Sequence, residues 1–213
     1  MKADLQKGFT LVEVMIAVGL FVVVMVAGIG AILSANTSHK KTQSQRTILD
    51  SMSFVLEDMS RNLRLGSSYR CPAGVSAAAT GSDEYLTGFL LGGTAPSDCG
   101  PGSEARSIAF ETQTGDPTND SDQAVYLFYN ERLYKSINGG VDYFAMTPPG
   151  VKLSDQSGFT VVGAYPYTDP SGTSTTDDVQ PRIIIRLSGK IMYKDIETPF
   201  DLQTTVSARL IDS

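Results

Sequence analysis

Residues 7–33 read KGFTLVEVMIAVGLFVVVMVAGIGAIL, and from Phe9 to Leu33 this stretch is apolar except for Thr10 and Glu13. As a helix it would extend about 37 Å at 1.5 Å per residue, enough to cross a hydrocarbon core of about 30 Å. A secretory signal peptide has a shorter apolar core closed by a small-residue cleavage site. Here Ser34 to Arg46 follows without such a site, so the run reads as a membrane span. Glu13 sets it apart from a plain anchor, because a carboxylate at mid-bilayer costs roughly 2.5–3.5 kcal/mol, and less near the edge.

Outward from the span, charge is unevenly distributed. Up to Thr47 five basic residues (Lys2, Lys7, Lys40, Lys41, Arg46) stand against two acids (Asp4, Glu13), whereas the remainder carries 12 basic and 21 acidic residues of the chain's 17 and 23. An acidic body argues against nucleic-acid binding through that body, since affinity for phosphates comes mainly from clustered Lys and Arg. Basic residues flank both ends of the span, so counting them does not decide its orientation. The two cysteines, Cys71 and Cys99, both lie in the polar body. If that body is outside the cytoplasm they can form a disulfide.

Beyond the span the helical pattern continues. Ile48, Met52, Val55, Met59 and Leu63 recur at steps of four, three, four and four, one face of a 3.6-residue helix. Gly66 followed by Ser67 and Ser68 reads as a stop, with glycine in the C-cap role. The expected helix runs from Phe9 to about Leu65, membranous over residues 9–33 and amphipathic over 34–66. Residues 67–106, rich in Gly, Ala, Ser and Pro, read as a connecting loop with one apolar insert, LTGFLLGG. Residues 107–213 then hold short β-branched and aromatic runs: SIAFE, AVYLFYN, RLYKSI, VDYFAM, FTVVGAY, PRIIIRLSGKIMY and FDLQTTVSARLI. Asn130-Glu131 fits a tight hairpin and Asn138-Gly139-Gly140 the next turn. The segments TQTGDPTNDSD and PYTDPSGTSTTDDVQP read as polar excursions. The expected fold class is α+β: one long helix laid against an antiparallel meander.

The N-terminal stretch resembles the type IV pilins and the pseudopilins of type II secretion, whose short basic leader ends in Gly before a Phe and a Glu at the fifth mature position. Lys7-Gly8, Phe9 and Glu13 match that pattern. The resemblance implies a leader of residues 1–8, cut between Gly8 and Phe9 on the cytoplasmic face by a prepilin peptidase, with methylation of the new Phe9 amine. It also implies a single-pass protein of the cytoplasmic membrane, N-terminus inside and head outside, contacting lipid and then other pilin or pseudopilin subunits helix to helix. Glu13 would pair with the Phe9 ammonium of a neighbour, two desolvated charges that roughly balance when paired and cost several kcal/mol when parted. Snorkelling of Glu13 to the interface is the alternative. The long sheet head is most similar to a minor pilin or the larger J-type pseudopilin. The cysteine pair departs from the C-terminal pair of many major pilins.

Other residues carry weaker signals. His39 is the single histidine and has no neighbouring ligand type. Lys40, Lys41 and Arg46 suit lipid headgroups or a solvated face equally. Asp169, Asp177 and Asp178 with Gly172 are weak candidates for calcium, although their spacing fits no EF-hand. No other metal and no cofactor is expected, and no nucleophile–base array or phosphate-binding loop is visible. The expectation is a structural building block and not an enzyme. The competing readings are a pilus-borne subunit for surfaces or DNA, and an anchored extracytoplasmic protein that never polymerises.

Overall fold

The computed structural model describes residues 8–72, 80–82, 85–87, 95–99, 105–116, 118–164, 180–193 and 196–209. Among the described residues one helix, α1 (Leu11–Leu65), is followed by strands, apart from a 3-10 turn at Asp120–Asp122. The chain divides into two units, Met1–Arg46 and Thr47–Ser213. In the first, every residue from Gly8 to Lys40 is exposed.

In the second unit the stripe read from the sequence is the buried face of α1: Met52, Val55, Met59 and Leu63 are each at most 5% exposed. Ile48 packs beside them. The helix ends as expected at Leu65, but for a different reason. Gly66 has no positive φ, and the left-handed residue is Ser68 at φ 53°. What Gly66 supplies is room, since a Cβ there would stand 2.5 Å from Phe110 Cδ2 and 2.9 Å from the Glu111 carbonyl oxygen. Two tertiary partners take up carbonyls that a helix end leaves unpaired. The buried Tyr69 hydroxyl reaches the Leu63 and Gly66 carbonyls at 2.5 Å each, and the Arg209 N–H bonds the Arg64 carbonyl at 2.9 Å.

The segment read as connecting loop contains three short strands, β1 (Ser67–Arg70), β2 (Thr80–Ser82) and β3 (Tyr85–Thr87). They complete a seven-stranded antiparallel sheet with β4 (Ser107–Glu111), β5 (Ala124–Tyr129), β6 (Arg132–Ser136) and β7 (Asp142–Ala145), in the order β1-β4-β5-β6-β7-β3-β2. Such short strands have no alternation to betray them; the pairing of β1 to β4 and of β3 to β7 holds them. The β5–β6 hairpin turns on Asn130 (φ 45°) and Glu131 (φ 62°), the pair of left-handed residues that a two-residue turn needs. Gly139 and Gly140, at φ 66° and 87°, turn the chain into β7.

The α+β class expected from the sequence holds, with the strands in two antiparallel sheets where one meander was expected. In the second sheet β10 (Arg182–Tyr193) pairs along its whole length with β11 (Ile196–Ser207). Its other edge is shared end to end by β9 (Gly158–Val162) and β8 (Val151–Leu153). Ile183, Ile185, Leu187 and Ile191 of β10 alternate inward with period two. They meet Ile108, Phe110, Tyr126 and Phe128 of the first sheet, together with the α1 stripe, in one core. The opposite face of the first sheet carries a second cluster, including Ala109, Val125, Leu127, Tyr134 and Tyr143, so β4 and β5 are covered on both sides.

Cys71 and Cys99 form a disulfide with Cα atoms 5.9 Å apart. Cys71 follows β1 at the edge of the first sheet. Cys99 is bridged to Val161 of β9, its N–H bonding the Val161 carbonyl at 2.9 Å. The bond therefore fastens the two sheets to each other, which no spacing in the sequence discloses.

Candidate assembly helix and its N-terminal junction

Gly8, Phe9 and Thr10 precede α1 as irregular chain. Phe9 is 81% exposed, and nothing stands within 4 Å of a Cβ built on Gly8. Backbone that is open, without a side chain at the position before Phe9, suits an extended approach to a protease cleft. The residues before Gly8 lie outside the described residues.

The first turn of α1 has a feature that the sequence reading missed. Thr10 caps the helix: its Oγ1 accepts the Glu13 N–H at 3.3 Å while its carbonyl accepts the Val14 N–H at 3.2 Å. Glu13 is the acid of that first turn. Thr10-Leu11-Val12-Glu13 is therefore a T-x-x-E sequence at a helix start, the signature of a capping box, and it was available in the letters alone. An acid in the first turn also faces the positive end of the helix dipole, worth about 0.3–1 kcal/mol when exposed.

This placement bears on the chemistry of a cut at Gly8. The new Phe9 ammonium would stand one residue before the cap, at the helix end whose dipole disfavours a cation. A carboxylate near such an ammonium would offset that repulsion, and Glu13 puts one in the first turn of α1. From Leu11 to Leu33 the large side chains of the helix are exposed on all sides, among them Val12, Met15, Val18, Phe21, Val24 and Ile32. A helix apolar on every face has to be covered by lipid or by other helices. By length and composition α1 can cross a membrane.

The other candidates do not assemble into a site. His39, Lys40 and Arg46 are exposed along α1, and Lys41 is half-buried there. Asp169, Asp177 and Asp178 lie outside the described residues. Among the described residues no three His, Cys, Asp or Glu side chains converge as a metal cluster.

No curated protein and no solved structure matches the chain. Residues 4–34 match the family model described as the prokaryotic N-terminal methylation motif. That match spans the leader junction, the Thr10 cap, Glu13 and the exposed apolar part of α1, so the chain carries a prepilin-type N-terminus, in support of the type IV pilin-like and pseudopilin family.

Proposed function

We propose that this chain is a prepilin-like subunit, cut between Gly8 and Phe9, methylated on the Phe9 amine, and built through α1 into a type IV pilus or type II secretion pseudopilus as a minor subunit. One observation carries the reading: the methylation motif of residues 4–34 falls on a helix that buries no residue between Gly8 and Lys40 in its own chain. Apolar surface left uncovered by its own protein is covered by a membrane before assembly and by neighbouring helices after it. In this reading the chain sits in the cytoplasmic membrane with its N-terminus inside and its head outside. Its partners are a prepilin peptidase, membrane lipid and other pilin or pseudopilin subunits. Its work is structural, without catalysis. The disulfide supports the placement of the head, since such bonds persist in oxidising compartments. The breadth of the two-sheet head favours a minor pilin or a J-type pseudopilin over a compact major subunit.

The test is the mass of the mature N-terminus in membranes of cells that have a prepilin peptidase. A chain beginning at methylated Phe9 is expected. A chain that keeps Met1 overturns the proposal in favour of a plain anchor.

A further inference from the structure

In the second unit α1 has a face that the head leaves bare. Asp50, Phe54, Glu57 and Arg61 recur at steps of four, three and four, about 180° around the helix from the buried stripe of Met52, Val55, Met59 and Leu63. All four are exposed, Phe54 over 73% of its surface. Arg46, one turn earlier in α1, is exposed as well. A single bare ring is ordinary on a protein surface. The order of charges around this one is not.

Arg46 and Arg61 stand at the ends of this face, with Asp50 and Glu57 between them and Phe54 at the centre. Arg46–Asp50 and Glu57–Arg61 each have the i, i+4 spacing at which opposite charges can pair on one helix. Among the described residues neither pair closes, and none of the four forms another ion pair. Arg46 and Glu57 are eleven apart, as are Asp50 and Arg61. Eleven residues are about three turns, so a parallel helix displaced by that much, about 16 Å, presents the same face. It brings two opposite-charge pairs into register at once. A displacement of seven sets Asp50 against Glu57, acid on acid. A displacement of four also makes two pairs, but it sets the second Asp50 against the negative face of the Phe54 ring.

We propose that this face of α1 seats the α1 of a second copy of the chain, parallel and displaced by eleven residues, with the second copy's Arg46 at Phe54 and Glu57 and its Asp50 on Arg61. Phe54 and Glu57 are three apart, so their Cβ atoms stand about 5–6 Å from each other on the helix surface. A guanidinium between them pairs with the carboxylate and stacks on the ring. Parallel packing follows from the one membrane orientation shared by all copies, and in this the inference rests on the prepilin-like reading above. The contact is heterologous: each copy offers Arg46 and Asp50 to one neighbour and Phe54, Glu57 and Arg61 to another, so it extends into a line and does not close as a dimer. Charges this exposed fix register more than affinity. Two adjacent copies are required.

The experiment expresses two differently tagged full-length copies together in cells that have a prepilin peptidase, one carrying Arg46→Cys and the other Glu57→Cys. Membranes and the sheared filament fraction are treated with a short bismaleimide. A cross-linked product bearing both tags is expected, as it is for Asp50→Cys with Arg61→Cys, with no comparable product for Asp50→Cys with Glu57→Cys. In chains without added cysteines, Arg46→Glu should lower recovery of one tag with the other by about fivefold, a loss of about 1 kcal/mol. Arg46→Glu/Glu57→Arg in the same chain should restore it, which a role confined to helix stability would not predict. Absence of the 46–57 product overturns the proposal whatever the N-terminus, as does a stronger product for Arg46→Cys with Asp50→Cys, or a failure of Arg46→Glu/Glu57→Arg to recover the loss. The mass of the N-terminus is read in the same membranes. A chain that keeps Met1 and still cross-links 46 to 57 overturns the filament reading and leaves the helix pairing standing, whereas a chain cut at Phe9 that does not cross-link overturns the pairing alone.

Discussion

Asp58 is the polar pin between α1 and the first sheet, and replacing it by Ala gives a measurable loss that the geometry predicts. Its Oδ2 accepts the Tyr126 hydroxyl at 3.1 Å and pairs with Lys135 Nζ at 2.8 Å. Tyr126 is fully buried, and its hydroxyl also accepts the Asn62 amide at 3.0 Å. In Asp58→Ala the hydroxyl keeps that incoming donor but has no acceptor for its own proton, a penalty of about 1–3 kcal/mol. The ion pair adds about 0–1 kcal/mol, because both side chains are a quarter or more exposed. The expected cost is roughly 2–3 kcal/mol, and for a chain of this size Tm falls by about 4–10 °C. Asp58→Asn keeps an acceptor and should lose about 1 kcal/mol. The assay is urea unfolding of the full chain in detergent, followed by far-UV circular dichroism, repeated in a Tyr126→Phe background. There the cost of Asp58→Ala should shrink to the ion-pair part. Equal losses for Asp58→Ala in the presence and absence of the Tyr126 hydroxyl would refute the assignment of Oδ2 as its acceptor.

Four further outcomes are expected. Glu13→Val should leave membrane insertion and cutting intact while lowering incorporation into a sheared filament fraction by two orders of magnitude or more, the consequence of parting a desolvated pair at about 3–5 kcal/mol; normal assembly would leave snorkelling to the interface as the account of Glu13. Cys71→Ser/Cys99→Ser opens a link between residues 28 apart and should cost about 3–4 kcal/mol in the chain-entropy model, read as a lower urea midpoint. Thiol labelling of the exported parent protein should find neither cysteine free. Gly139→Ala places a Cβ at φ 66° against the Asp120 carbonyl and should destabilise by about 2 kcal/mol or more, seen as a drop in Tm.

How much of this was legible in the letters follows from the range of the interactions involved. The stripe Met52, Val55, Met59 and Leu63, the end of the helix at Leu65 and the Asn130-Glu131 hairpin are local patterns, and a period or a turn is written within a few residues of itself. The T-x-x-E cap at Thr10 was equally local and could have been read. The motif of the N-terminus needs no tertiary partner to be read, because the helix it falls on is exposed throughout residues 8–40.

What the tertiary structure alone decided depends on residues far apart in the chain. Strands of three or four residues at Ser67–Arg70, Thr80–Ser82 and Tyr85–Thr87 exist because a longer strand lies beside them. The break into two sheets arises because β10 pairs with β11 along one edge and with both β8 and β9 along the other. Glycine at 66 is explained by the ring of Phe110, 44 positions on, and not by a cap. Glu111, Gln123 and Arg70 look in the sequence like solvated polar residues. Alternation along β4 and β5, and the pairing of β1 to β4, put them on the face that the second cluster covers, where a carboxylate oxygen can be left without a donor. Burial is a property of what packs on top, and that information is not local to any stretch of this chain.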